Sequence, residues 1–171
     1  KSLKVRVNAD TPHDALEARK FGADGIGLCR TEHMFFETTR IKNFRKMILA
    51  QSKEERQKYL NEILPYQEED FYNLFKICKD KSVVIRLLDP PLHEFLPKKD
   101  EEKEVLAKEL SISLEELSLR IADLKEFNPM MGHRGCRLLV TYPEITVMQT
   151  TAIIKAALRL EKENIVVTPE I

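Results

Sequence analysis

One six-residue run does most to limit the fold: Val83-Val-Ile-Arg-Leu-Leu88, closed by Asp89-Pro90-Pro91. A nearly unbroken stretch of β-branched residues and leucines reads as a strand buried on both faces, the habit of parallel sheets rather than surface hairpins. The two prolines stop it and fix the start of the following loop. Leu3–Ala9 alternates as an earlier strand, Gly25–Cys29 reads as a second, Cys136–Val140 as a fourth, and Ile165–Thr168 begins a fifth. Helical signals fill the gaps. Thr11 and Pro12 open a helix that runs to about Lys20, before Gly22. Ser52-Lys-Glu-Glu55 is a capping box for a helix to Leu64, where Pro65 predicts a break before a second helix from about Glu68 to Lys79. Ser113-Leu-Glu-Glu116 opens another to Leu124, and a long helix is predicted from about Thr146 to Glu163.

Alternating strands and helices imply an α/β fold on a parallel sheet, either doubly wound or closing as a barrel. Two connections are longer than a plain βα unit needs. They predict helical insertions at about 38–81 and 98–127, on the outside of a single unit spanning 1–171. The mixed-sign run Lys98 to Glu104 reads as a solvated loop.

Charge narrows the partners. Lys and Arg number 28 and Asp and Glu number 28, for a formal net charge of zero. Without a basic surplus there is no electrostatic case for nucleic acid or an anionic membrane. No apolar stretch reaches the roughly 18 residues of a membrane span, and the first residues do not read as a signal peptide. Cys29, Cys78 and Cys136 are odd in number and lack CxxC spacing, so free thiols in a reducing, cytoplasmic compartment are expected.

Three arginines carry the chemistry. Alternation puts Arg30 on the face of Ile26 and Leu28, where Glu32 or a neighbouring strand could neutralise it. Arg86 interrupts the most hydrophobic strand, on the Val84 and Leu88 face, with Asp89 on the opposite parity. An unpaired guanidinium there would cost several kcal/mol, so it needs a carboxylate from another strand or a ligand. Arg134 lies between Gly132 and Gly135, which let backbone come close to whatever the arginine binds, although a solvated turn would also use those glycines. Arg137, within the predicted strand, reads as structural. Arginines at successive strand ends converge on one mouth, where parallel α/β sheets bind ligands. Their mutual repulsion favours an anion. Guanidinium forks match phosphate and carboxylate, each charge-assisted hydrogen bond contributing roughly 1.5–3 kcal/mol. The GxG at Gly25 lacks the third glycine of a dinucleotide fingerprint.

Three stretches carry a resemblance. GIGLCRTEHMFF (Gly25–Phe36), RLLDPPLHEFLP (Arg86–Pro97) and NPMMGHRGCRL (Asn128–Leu138) resemble the phosphoenolpyruvate-utilising enzymes. The second and third are more similar to the dikinase branch than to phosphoenolpyruvate synthase or to enzyme I of the sugar phosphotransferase system. The similarity runs from Asn8 to Ile171. It implies a (β/α)8 TIM barrel, of which this chain would supply the first four to five strands, binding phosphoenolpyruvate and pyruvate at the strands' C-terminal ends. Arg30, Arg86 and Arg134 fall on the family's substrate-binding arginines, with Asp89 beside them.

The resemblance also implies a parent reaction in which ATP and phosphate phosphorylate a histidine on another domain, releasing AMP and diphosphate. That phosphohistidine then phosphorylates pyruvate, with Mg2+ as cofactor. The phosphohistidine and ATP-binding domains of the parent chain would therefore be partners. None of His13, His33, His93 or His133 has the context of the phosphorylated histidine. The family's acidic metal ligands and its proton-donating cysteine fall after Ile171, so Cys29, Cys78 and Cys136 are not that cysteine. The expectation is a fragment with no catalytic residue and no metal ligand of its own, inactive alone and joined into a homo-oligomer along open sheet edges. A fragment of phosphoenolpyruvate synthase, or a non-catalytic anion-binding half-barrel, are the alternatives. Residence in the cytoplasm, or in a plastid or another organelle, fits the resemblance equally.

Overall fold

The computed structural model describes residues 3–36 and 38–171, without the side chains of 38 and 39. Its sheet has four parallel strands: β1 (Arg6–Asn8), β2 (Gly25–Arg30), β3 (Ser82–Arg86) and β4 (Pro169–Glu170), in the order β1-β2-β3-β4. A doubly wound sheet reverses its strand order at a switch point. This one advances without reversal, as a partial (β/α)8 barrel does. The helices are α1 (Pro12–Lys20), α2 (Thr38–Leu49), α3 (Lys53–Ile77), α4 (Asp100–Leu110), α5 (Leu114–Leu124), α6 (Gly135–Thr141) and α7 (Pro143–Glu161).

The capping signals act where the sequence puts them. Thr11 accepts from the backbone N–H of Asp14 (3.1 Å), Ser52 from Glu55 (3.0 Å) and Ser113 from Glu116 (3.1 Å). Pro65 does not break its helix. Leu60, Ile63, Gln67, Phe71 and Leu74 form one buried stripe that passes the proline in phase. Pro65 and Asn61, whose carbonyl loses its partner, lie on the exposed face, where water can serve instead. The acidic first turn of α4, Asp100-Glu101-Glu102, favours a helix start over the expected loop.

Strand boundaries shift more. Leu3 and Val5 are exposed and lie outside the strand ladder, which begins at the Arg6–Gly25 register pair. The Val5 backbone is held instead by Asp24, whose N–H donates to the Val5 carbonyl and whose carboxylate accepts the Val5 N–H, both at 2.8 Å. The expected fourth strand, Cys136–Val140, is the helix α6. A five-residue, mostly apolar run cannot distinguish strand from helix, and only one side of this segment meets the core. Leu138 is buried, whereas Cys136 and Val140 are exposed, and Tyr142 N–H closes the last turn on the Leu138 carbonyl at 2.9 Å. The fourth strand comes after α7, just beyond the predicted Ile165–Thr168, where Pro169 pairs with Val83. β3 is not buried on both faces: Val83 and Ile85 are, while Val84 and Arg86 are half-buried.

Two cores result. Ile26, Cys29, Val83 and Ile85 pack against Phe71, Phe75, Ala152 and Ile153 of α3 and α7. The insertions bury a second core, in which Phe35 stacks on Phe44 (4.2 Å) and Phe44 meets the edge of Phe95 (4.7 Å). Leu88, one residue before Asp89, belongs to this second core and anchors the chain leaving β3.

Candidate substrate-binding site

β2 and β3 end side by side, with Arg30 and Arg86 as register partners. Gly25 allows this approach, since a Cβ there would stand 2.6 Å from the Ser82 carbonyl oxygen. The register slips between Ile26 and Cys29, so strict alternation fails. Ile26 and Cys29 are both buried on the helix side, and Leu28 and Arg30 are half-buried.

Each arginine has a carboxylate. Asp10, just past β1 and 6% exposed, accepts the Arg30 backbone N–H (2.7 Å) on one oxygen. Its other oxygen accepts Arg30 Nε (2.9 Å) and Nη2 (2.6 Å) and lies 2.9 Å from His33 Nδ1. Burial pushes the Asp10 carboxyl up, but the hydrogen bonds and charge of Arg30 outweigh it, and the group stays below its ordinary range. Glu32, 4% exposed, accepts from Arg86 Nη2. Asp89 accepts from Arg134 Nη2 and Nε and lies 3.5 Å from Arg86 Nη1. The hydrogen bond that Arg134 donates to Asp89 holds its guanidinium more firmly in the charged form, as that to Asp10 does for Arg30.

Of the two partners open to Arg30, the neighbouring strand supplies it, through Asp10, and Glu32 serves Arg86. Two expectations change here. Asp89 reaches Arg86 despite opposite parity, because the strand ends at Arg86 and the chain has turned by Asp89. Arg134 ends no strand; it is the extended residue before α6. Gly135, at φ +57°, gives its N–H to the Asp89 carbonyl (3.0 Å), and a Cβ there would lie 3.1 Å from Asp89 Oδ1. Its close approach is therefore to Asp89.

Arg86, Asp89 and Arg134 line one cleft of about 380 Å³, with Glu32, His33, Pro90 and Met130. Arg30 stands one strand away, folded onto Asp10, and does not line it. Of a guanidinium's five N–H donors, these carboxylates take only some. Arg86 Nε is buried without a partner, as is Glu32 Oε2. The site can thus hold an anion on arginines already oriented by carboxylates. A larger cavity, about 490 Å³ between α2 and α4, is further from this chemistry, and its Lys42 and Arg45 are held by Glu109 and Glu102. Among the described residues no three His, Cys, Asp or Glu side chains converge as metal ligands.

Asp10 and His33 are the site residues that strand-by-strand reasoning passed over. Asp10 follows Asn8-Ala9 at the end of the first strand, so the strand-end argument used for the arginines would have found it.

The arginine–carboxylate cleft opens where β3 ends, in a sheet of sequential parallel strands of the barrel class. The family model for "PEP-utilising enzyme, PEP-binding domain" matches residues 1–171, and the chain belongs to that family. Pyruvate, phosphate dikinase of Clostridium symbiosum is 55% identical over 172 residues, covering 100% of this chain and 20% of the relative. That of Giardia intestinalis is 53% identical over 169 residues, covering 99% and 19%. Pyruvate, phosphate dikinase 1, chloroplastic, of Arabidopsis thaliana is 54% identical over 171 residues, covering 99% and 18%. The chain spans about a fifth of the length of these relatives. No helix of the described residues is long and apolar enough to cross a membrane.

Proposed function

We propose that this chain is the arginine side of a phosphoenolpyruvate/pyruvate site within a pyruvate, phosphate dikinase. The observation that carries the reading is the Arg86–Asp89–Arg134 arrangement: two guanidinium groups on one carboxylate, at the mouth of a parallel sheet. Phosphoenolpyruvate presents a phosphate and a carboxylate close together. Arg86 and Arg134 offer forks to both, and Asp89 fixes the spacing between them. The pairing carboxylates keep the three arginines from repelling one another before the ligand arrives. Arg30 acts at the margin, beside His33, on the same migrating phosphoryl group.

In the complete protein the reaction is the conversion of ATP, phosphate and pyruvate to AMP, diphosphate and phosphoenolpyruvate through a phosphohistidine on another domain. Arginines aimed at the charge-dispersed phosphoryl group stabilise its transfer. ATP binding and magnesium belong to the parent enzyme, and the 171 residues alone bind ligand without turnover. The identity of over half the residues to dikinases supports this reading over a synthase or a non-catalytic module. A homo-oligomeric state belongs to this reading and is measurable by light scattering. Cytoplasmic residence is proposed, or plastid residence as in the relative named chloroplastic.

Thermal-shift titration separates the ligands. Phosphoenolpyruvate is expected to raise the melting temperature at concentrations where inorganic phosphate alone does not. Equal effects of both would reduce the cleft to a phosphate site.

A further inference from the structure

Thr31, Gln67 and Gln149 are polar side chains with 0%, 1% and 0% exposure. They come from the turn after β2, from α3 and from α7. Buried polar groups persist where their hydrogen bonds are made, and these form one connected set. Gln149 Oε1 accepts the backbone N–H of Leu88 at 2.8 Å. Its Nε2 donates to Thr31 Oγ1 (3.0 Å) and to Gln67 Oε1 (3.2 Å). Thr31 Oγ1 in turn donates to the Arg86 carbonyl at 2.9 Å.

The set therefore holds two backbone groups where β3 ends: the carbonyl of Arg86 and the N–H two residues later. That two-peptide segment carries Arg86 at one end and leads directly to Asp89. The Arg86 side chain is 37% exposed, so packing alone does not fix its direction.

We propose that Gln149, with Thr31, is a positioning residue for Arg86 and Asp89. It clamps the end of β3 from behind, so that both side chains enter the cleft at a fixed angle. This rests on the reading that Arg86 binds substrate. A role confined to tying α7 to the sheet would lower stability and leave ligand affinity alone.

The test is calorimetric titration of phosphoenolpyruvate into the full-length protein, well below the melting temperature of each variant, with melting measured in parallel. Thr31→Val keeps the side-chain shape and loses the hydroxyl. It is expected to weaken binding at least fivefold, whereas Thr31→Ser stays within twofold of wild type. The Thr31→Val effect should vanish in an Arg86→Ala background, since it acts through Arg86. Should Thr31→Val not fold, Gln149→Met carries the same expectation. If Arg86→Ala weakens binding while Thr31→Val and Gln149→Met change only the melting temperature, the positioning role is wrong and the functional reading stands. If Arg86→Ala itself binds like wild type, the functional reading has failed.

Discussion

Arg30 and Arg86 are register partners on adjacent strands, yet their guanidinium groups are held by carboxylates from different places. Arg30 turns back to Asp10, after β1, while Arg86 is held by Glu32, two residues beyond Arg30 in the chain. This crossing separates a cleft arginine from a marginal one. Truncating Arg86 to alanine should therefore weaken phosphoenolpyruvate binding more than truncating Arg30. Losing one or two charge-assisted hydrogen bonds predicts roughly a 10-fold or greater effect for Arg86. An Arg30→Ala effect equal to or larger than that of Arg86→Ala would reverse the assignment.

Pro65 sits on the solvent face of an uninterrupted α3. Pro65→Ala should restore a helical hydrogen bond and stabilise the protein by about 1–3 kcal/mol in urea unfolding. A loss of stability would mean that the helix needs a break there.

Gly135 combines a left-handed backbone with close contact to Asp89. Gly135→Ala is expected to cost about 1–2 kcal/mol from the backbone alone. It should also weaken phosphoenolpyruvate binding by displacing Asp89. Unchanged affinity in a destabilised variant would separate the turn from the site.

These particulars show what the sequence makes legible. The starts of α1, α3 and α5 were readable because capping is local chemistry between residues three apart. The strand-end arginines were readable because a charge inside an apolar run demands a partner. The α6 segment and the fate of Pro65 were not, since both depend on which face meets the core, a tertiary fact. Which carboxylate serves which arginine was equally hidden. It depends on the slipped register of β2 and on the turn after Arg86, and neither leaves a local signature.

The thiols give a pH test. Burial, then the negative charges of Asp10 and Glu32, pushes Cys29 up to about 12, and burial pushes Cys78 up to about 11, from an ordinary 9.0. The folded state keeps both protons where the unfolded chain releases them near pH 9.0. Stability should therefore be insensitive to these thiols below that pH. From there to about pH 11 stability should fall by about 1.4 kcal/mol per pH unit for each, and from about 11 to about 12 for Cys29 alone. At about pH 8 only exposed Cys136 should react with a thiol reagent in the folded protein. Rapid native-state labelling of Cys29 would contradict its burial.

Asp10 gives the acid limb. Its carboxyl lies below the ordinary 3.8 in the folded state, so its contribution is complete above that pH and lost as pH falls further. Asp10→Asn should flatten this part of the acid unfolding curve, and an unchanged curve would mean that the Arg30 pair adds no stability.

The central claim, that Asp89 sets the spacing of Arg86 and Arg134 for phosphoenolpyruvate, is tested most directly by Asp89→Asn. The substitution removes a negative charge from an anion site and leaves the shape. Charge alone would predict tighter binding. The organised cleft predicts the reverse: calorimetric titration of the full-length protein should show affinity at least about threefold weaker, since both guanidinium groups lose their shared carboxylate. Binding equal to or tighter than wild type would contradict the claim.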